Sequence, residues 1–461
     1  MNPDAPETVS PAVLHSDLSK AHATEVVRRL QQAGYTALWA GGCVRDLLLG
    51  HAPSDYDVAT NALPDAVRRL FGERNTLAVG AAFGVIVVKG GRGAEDVEVA
   101  MFRTEGPYLD GRRPERVVFS TPEEDAQRRD FTINGLFYDP LATQLFDYVG
   151  GREDLERRVL RAIGDPHDRF TEDKLRILRA VRISARFGCE LEARTAAAVR
   201  QMAPEILVVS QERIAQELQK ILAHPSRRVA LERAIGLGVL PVILPELAGF
   251  VQEVRPEDEL PREVAHWLRG LESLPSPDFE LALAALLRPA GGEGTRLELR
   301  RLAEGACRRL KLSNAQVEQT GWLLEHEGQV TGLPQARGAV QKRLLAHPWA
   351  RNLVALARAL AVGEGAAPTA AAWCDQYLDQ TPRHVLQPVP LLTGDDLKRL
   401  QLVPGKEFKA ILEDVYNAQL EGRVTTREEA QALAGEVWLR LRGGASNTGD
   451  RGADSGPISQ N

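Results

Sequence analysis

Apolar and polar positions change their rhythm along the chain near residue 150. Before that point, short β-branched or alternating runs are mixed with amphipathic ones. TALWAGG, YDVAT, GVIVVKG and DVEVAMF read as strands, and RVVFST as a further short one. CVRDLLLG and LPDAVRRLFG, lying between them, read as helices. This mixture predicts an α+β unit. After it the pattern is helical almost throughout. TEDKLRILRAVRISARFG predicts one helix stopped by Gly188, a residue free to take the left-handed conformation that ends helices. EARTAAAVRQMA follows, then SQERIAQELQKILAH, with Ser210 as its expected N-cap. RPAGGEG at 288–294 and VGEGAAPT at 362–369 mark breaks, as linkers or long loops between helical units. No strict internal repeat is present.

Composition narrows the class. With 461 residues the chain exceeds what one core organises, so several packed units are expected. The net charge of −6 excludes a general polyanion binder and leaves only local basic surfaces for such a role. Cys43, Cys189, Cys307 and Cys374 are far apart, without a CxxC or a nearby histidine pair. That usage fits free thiols in a reducing compartment rather than a zinc site, and a cytoplasmic location is expected. No apolar run reaches the ~18 residues of a membrane span. The acidic start MNPDAPETVS has no signal-peptide core, and the Gly/Ser/Asp-rich segment 443–461 is expected to be disordered.

The first candidate chemistry is PSDYDVAT, where Asp55 and Asp57 flank one tyrosine. On a strand the two side chains project from the same face. Two carboxylates held together repel unless a cation or a shared proton relieves them. Mg²⁺, bound alongside substrate phosphates, is the natural partner for such a pair. A solvated edge strand with two surface aspartates would carry the same residues. Just upstream, GGCVRDLLLG places Gly41 and Gly42 at a strand end, where bare backbone can approach a phosphate, and Arg45 on the following helix.

With these residues the sequence resembles the nucleotidyltransferase superfamily, whose head is similar to the palm of polymerase beta. More narrowly it resembles the class II tRNA nucleotidyltransferases, the CCA-adding enzymes, and the related bacterial poly(A) polymerases. GGCVRDLLLGHAPSDYDVAT is similar to the first family motif, RRDFTINGLFYDP at 128–140 to the second, and DRFTEDKLRILRAVRISARFG at 168–188 to the third. The motifs stand in family order. SQERIAQELQKIL extends the resemblance through the family's neck, and residues 392–430 look like its tail; 230–390 carry few recognisable residues.

The resemblance implies a polymerase-beta-like head with a mixed sheet and helices, followed by an all-α neck, body and tail. The boundaries it suggests are a flexible N-terminus at 1–18, a catalytic head at 19–163 and a neck selecting nucleobases at 164–228. A body at 229–365, a tRNA-binding tail at 366–442 and a disordered C-terminus at 443–461 complete the chain. It also implies that Asp55 and Asp57 are catalytic and hold two Mg²⁺ ions, with Glu98 in DVEVAMF as a third carboxylate or else an ordinary exposed strand residue. Gly41, Gly42 and Arg45 would cradle the triphosphate. Arg129, Asp130 and Asn134 would contact ribose and phosphate or hold the site together, Asp130 serving equally well as a helix cap or internal ion pair.

The third motif has its own chemical reading. Glu172, Arg176 and Arg179 would share one helix face, with Asp173 beside them. An i,i+4 ion-pair ladder is the bland account. The functional account is a nucleobase reader: an arginine offers donors and a carboxylate offers acceptors. Arg176 with Asp173 suits the donor and acceptor edges of cytosine and adenine, whereas uracil and guanine turn a carbonyl oxygen toward the carboxylate. Mismatches of that kind cost about 1–3 kcal/mol each. The family's EDxxR element falls on Glu172, Asp173 and Arg176, with Glu172 orienting Arg176. The partners implied are tRNA, CTP and ATP, without a membrane.

Within the family, CC-only enzymes lack a flexible loop between the first two motifs. Here the stretch 102–131 is full length, which argues against CC-only activity. Full CCA addition, A-only addition and poly(A) synthesis remain, and an isoelectric point near 6.0 fits poorly with the basic poly(A) polymerases. A catalytically silent RNA-binding relative is the reading from another class. LALAALLRP at 281–289 lacks the HD dyad of some relatives, so no phosphohydrolase activity is expected. Ten Lys/Arg against seven Asp/Glu between residues 152 and 186 fit a neck touching RNA phosphates, or a solvated helix face. PGKEF at 404–408 would face RNA or form a helix–helix turn.

Overall fold

The computed structural model describes residues 11–80, 84–91, 93–105, 117–251, 260–292 and 294–443. The chain divides into two compact units, Met1–Val264 with Arg308–Leu312, and Ala265–Cys307 with Ser313–Asn461.

The first unit opens with helix α1 (Pro11–Gln32), which begins inside the segment expected to be flexible. A seven-stranded sheet follows, built from β1 (Ala37–Ala40), β2 (Asp57–Thr60), β3 (Thr76–Gly80), β4 (Val85–Val88), β5 (Val97–Met101), β8 (Leu136–Asp139) and β9 (Gln144–Asp147). Between them in the chain, β6 (Arg103–Glu105) and β7 (Val117–Phe119) pair as a separate ribbon. The sheet order is β3-β4-β5-β2-β1-β8-β9, with β2 and β5 parallel and the other neighbours antiparallel. Every residue of β1 is buried, as befits a central strand covered on both faces. Trp39, Phe102, Phe131, Ile133, Leu136 and Phe137 are among the fully buried side chains of this core.

Two helices position the chemistry on this sheet, α2 (Gly42–Leu48) directly after β1 and α3 (Pro64–Phe71) after β2. Sequence periodicity does not register the β8–β9 hairpin, because its strands lie inside the second motif and are only partly buried. Its turn is chemical. The Asp139 carboxylate accepts from the amides of Leu141 and Ala142, and Thr143 takes a positive φ of 57°.

The neck corrects one expectation. The stretch expected as a single helix to Gly188 is two, α6 (Pro166–Glu172) and α7 (Leu175–Phe187), after α4 (Pro122–Gln127) and α5 (Gly151–Glu156). Asp173 breaks it with extended backbone (φ −145°, ψ 102°), and its Oδ1 accepts the Leu175 amide that opens α7. Gly188 ends α7 as expected, at φ +61°. Then come α8 (Ala193–Met202), α9 (Gln211–Ala223) with Ser210 at its N-cap, and α10 (Arg227–Gly236). A buried ion pair, Arg182 Nε to Glu217 Oε2 at 2.5 Å, ties α7 to α9.

The regular elements described in the second unit are all helices. The helix Phe279–Leu287 is buried nearly all round, so LALAALLRP forms core. RPAGGEG opens with a 3-10 turn (Arg288–Gly291), VGEGAAPT joins the helices Ala350–Gly363 and Thr369–Gln380, and both stretches fall inside this unit. Leu397, Ile411, Val415, Ala430 and Ala434 belong to one cluster in its C-terminal part. There PGKEF forms the turn entering the helix Glu407–Leu420, with Lys406 at its N-cap. Part of the loop at 102–131 and all of 444–461 lie outside the described residues.

Candidate active site

The site grows from the end of β1. Gly41 takes φ +72°, and its amide donates to the Leu136 carbonyl at 3.1 Å. A Cβ there would stand 2.7 Å from Arg129 Nη1, so a side chain is excluded by backbone conformation and by space together. Gly41 and Gly42 thus present bare backbone at the start of α2.

Behind them lies a buried polar layer. Arg45 donates to Asp46 Oδ1 from Nε at 2.8 Å and Nη2 at 2.7 Å, and to Asn134 Oδ1 at 2.6 Å. Its guanidinium lies over the Phe187 ring at 3.9 Å. Burial lowers its affinity for its proton, and the neighbouring Asp46 restores part of it. Arg45 is therefore held in place through three donors, and it still lines the cleft.

Asp130 is the hub of this layer. Its Oδ2 accepts from Arg179 Nε at 2.9 Å and Nη2 at 2.6 Å; its Oδ1 accepts from Asn134 Nδ2 at 2.9 Å and the Phe131 amide at 2.8 Å. Burial alone would raise its pKa, but the Arg179 charge and the Asn134 and Arg179 hydrogen bonds outweigh it and hold the carboxyl at about 2. Of the roles open to Asp130, the structure displays the internal ion pair. Buried Asp125 on α4 does the same for Arg128 and Arg129, at 2.6 and 3.0 Å. Arg129 also donates to the Asn134 carbonyl at 3.3 Å and covers the Phe137 ring at 4.8 Å.

Asp55 and Asp57 both face the cleft. The geometry differs from expectation in one respect, since β2 begins at Asp57 and Asp55 precedes the strand. Exposure still alternates. Tyr56 between them is buried against Trp39, with ring centroids 4.9 Å apart, which leaves both carboxylates on the open side. Glu98 is the register partner of Asp57 across the parallel β2–β5 pair. Asp57 keeps accessible surface at the mouth but has protein on most sides. That desolvation, then the like charges of Asp55 and Glu98, push its carboxyl up to about 7 against the pull of Arg129. Among the described residues no group of three or more His, Cys, Asp or Glu stands close enough to form a ready metal cage. The donor set is instead a carboxylate pair whose mutual repulsion is uncompensated, which suits a cation brought with other ligands.

The neck contributes the rest of the lining. Arg176 is buried and donates to Glu172 Oε2 at 2.6 Å, to the Arg169 carbonyl at 2.8 Å and to the Arg128 carbonyl at 3.2 Å. Glu172 also pairs with Arg169 at 2.9 Å. Asp173 Oδ2 accepts from Arg213 Nη2 on α9 at 2.7 Å. The whole forms a cleft of about 660 Å³, lined by nine arginines and five aspartates with Gly41 and Gly42.

The structure thus brings together Gly41, Gly42, Arg45, Asp55, Asp57, Arg129, Asp130, Asn134, Asp173, Arg176 and Arg179. Glu172 and Glu98 stand outside the lining, Glu172 behind Arg176 and Glu98 beside Asp57. Sequence reasoning missed Arg103, Arg128, Arg182, Arg186 and Arg213 on the cleft, and Asp125 behind it. Arg128 and Arg213 lie within stretches already singled out. Arg128 pairs locally, with Asp125 three residues away, whereas the Arg213–Asp173 pairing joins distant segments and leaves no local signal. Cys43, beside Asp57, is buried with its thiol pushed up to about 12, so it is inert as a nucleophile.

Comparison with known proteins places this geometry among relatives. Residues 37–161 match the family described as Poly A polymerase head domain, and residues 188–250 the one described as Probable RNA and SrmB- binding site of polymerase A. The CCA-adding enzyme of Geobacillus kaustophilus is 43% identical over 231 residues, 50% of this chain and 56% of that protein. Poly(A) polymerase I of Salmonella typhi is 42% identical over 222 residues, 46% of this chain and 47% of that protein. The chain thus spans about half the length of the curated relatives it matches. The crystal structure of the Bacillus stearothermophilus CCA-adding enzyme in complex with CTP superposes with a TM-score of 0.73 at 30% identity, over 93% of this chain and 98% of that one.

Proposed function

The chain belongs to the family of CCA-adding enzymes and bacterial poly(A) polymerases, and from that premise we propose that it is a template-independent tRNA nucleotidyltransferase adding C, C and A to the tRNA 3′ end. The observation that carries this reading is one arginine-rich cleft lined by both the Asp55/Asp57 pair and Asp173 with Arg176. The reaction joins the RNA 3′ oxygen to the α-phosphorus of CTP or ATP as the bond from that phosphorus to pyrophosphate breaks.

Asp55 and Asp57, with Glu98 alongside, are the residues that would hold two Mg²⁺ ions, whose chemistry when bound is to activate the attacking hydroxyl and neutralise the triphosphate. The protein's own groups do the rest. The backbone at Gly41 and Gly42 lets the triphosphate approach closely. Arg129, fixed by Asp125, offers a positioned charge to it. Arg176 and Asp173 read the base edge, and Glu172 holds Arg176 in place. Each reader makes hydrogen bonds before any nucleotide arrives, so the selecting surface is preorganised.

Full-length likeness to a CCA-adding enzyme favours CCA addition over poly(A) synthesis. The 42% identity to a poly(A) polymerase over 222 residues keeps the second activity as the competing reading. Incorporation of labelled CTP and ATP into tRNA lacking its 3′ end, with Mg²⁺ and with Asp55→Ala as control, tests the proposal. No incorporation by the wild type overturns it. Acceptors ending in C and in CC separate full from A-only addition, and extension of non-tRNA RNA would favour poly(A) synthesis.

A further inference from the structure

Beside the nucleotide cleft, the neck contains a second, smaller hollow of about 60 Å³. Arg182, Arg186, Lys220, His224 and Ser226 supply its polar lining, and Arg182 and Arg186 line the large cleft as well. We propose that this hollow is an anion subsite, formed by Arg186, Lys220, His224 and Ser226, that takes one backbone phosphate of the RNA acceptor strand next to the nucleotide. The inference rests on the nucleotidyltransferase reading and extends it to the path of the second substrate.

Charge balance is the first argument. Arg182 and Lys220 share a single buried carboxylate, Glu217, at 2.5 and 3.0 Å. Arg186 is exposed and has no ion-pair partner among the described residues; its guanidinium only touches the ring of Phe187, at 5.1 Å. The charges that reach His224 are Arg186, Arg227 and Arg182, all of one sign. Arg182, Arg186 and Lys220, with the one carboxylate of Glu217 among them, are the counterpart of the Asp55/Asp57 pair, and an anion relieves them in the same way.

Donor geometry is the second. His224 Nδ1 accepts the Ser226 amide at 3.1 Å and lies 2.8 Å from Ser226 Oγ. The neutral ring then carries its proton on Nε2, as a donor. Burial and the surrounding arginines keep the ring below its usual pKa, hence neutral. Ser226 also stands at the N-cap of α10, a ten-residue helix whose N-terminal amides favour an anion.

Size selects the ligand. The hollow is far smaller than the ~300 Å³ and upward of small-molecule pockets, so it admits a phosphate group and excludes a nucleotide. Sharing two arginines with the cleft makes that phosphate part of a strand whose end lies at the catalytic carboxylates.

The test uses the full chain and a labelled RNA minihelix ending in CC, with binding measured by anisotropy at several salt concentrations. Lys220→Ala and His224→Ala should each weaken RNA binding about 3- to 10-fold at low salt. Lys220→Ala should also lower the slope of log K against log salt by about 0.7–1, the signature of one lost phosphate contact. CTP affinity of these two variants should stay at the wild-type value, and Lys220→Arg should restore RNA binding. Adding Arg186→Ala should deepen the loss. An unchanged RNA affinity and salt slope overturn the subsite while leaving the enzyme reading intact. A matching loss of CTP affinity overturns it in favour of a triphosphate site. A wild type that neither binds nor extends the RNA overturns both.

Discussion

The carboxylate of Asp173 is held by Arg213, forty residues further along the chain, with Nη2 to Oδ2 at 2.7 Å. Asp173 is also the point where the neck helix breaks, so its side chain is aimed by an extended backbone rather than by a helix face. The proposed base reader therefore depends on two ties from different elements. Glu172 holds Arg176, and Arg213 holds Asp173.

Arg213→Ala should release Asp173 without unfolding the neck, because Arg213 is only half-buried and Glu217, on the same helix, keeps its ties to Arg182 and Lys220. The expected result is weaker discrimination of CTP over UTP, by about 5- to 100-fold in the ratio of kcat/KM, equivalent to one or two misplaced polar contacts at ~1–3 kcal/mol. Arg213→Lys should recover part of it. A variant with full discrimination and a simple loss of kcat would show that the ion pair serves stability alone.

Glu172 and Asp173 are adjacent and should fail differently. Glu172→Gln loosens Arg176, which serves cytosine and adenine alike, so kcat/KM for CTP and ATP should fall together, by about tenfold. Asp173→Asn replaces an acceptor by an amide that also donates, so uracil should gain relative to cytosine. Parallel measurements with CTP, ATP and UTP decide between these patterns.

Much of this site was legible because the motif residues are local and chemically unusual. Gly-Gly before Arg45, alternate aspartates and the Glu172–Arg176 spacing all left marks in the sequence, and the cleft gathers these residues except Glu172, which holds Arg176 from outside the lining. What escaped was set by tertiary pairing. Periodicity carries α6 and α7 through as one apolar stripe, and only the Asp173 carboxylate bonding the Leu175 amide shows why the helix stops there. For Asp130 the sequence left an internal ion pair open beside substrate contact, and could not name the partner, since Arg179 lies 49 residues away. The β8–β9 hairpin escaped because partly exposed strands lack strong alternation.

Gly41→Ala should inactivate the protein. The new Cβ meets Arg129 Nη1 at 2.7 Å and requires φ +72°, so either the guanidinium or the backbone must move. Because Arg129 is held by Asp125, the strain falls on the start of α2. A loss of ~1–3 kcal/mol in unfolding free energy is expected, with kcat reduced beyond what that loss explains. The companion Gly42→Ala is the control. Its Cβ would meet only Arg45 Nη2 at 3.6 Å, ordinary contact, so it should retain the wild-type midpoint in urea. Equal behaviour of the two variants would remove the steric account.

Asp130 supplies a pH-dependent share of stability whose sign follows from its partners. Its folded pKa of about 2 lies below the ordinary 3.8, so the unfolded chain binds the proton more readily. The contribution is complete above pH 3.8 and is lost as pH falls toward 2. That depression corresponds to ~2 kcal/mol at neutral pH, with roughly half gone by pH 3. Asp130→Asn removes it at every pH and leaves Arg179 without its carboxylate. Urea unfolding of both proteins between pH 7 and pH 3 should therefore show a gap of ~2 kcal/mol or more that holds to about pH 4.5 and then narrows. A gap that stays constant down to pH 3 would mean that Arg179 does not depress this carboxyl. One that narrows already between pH 7 and pH 5 would assign the effect to another group.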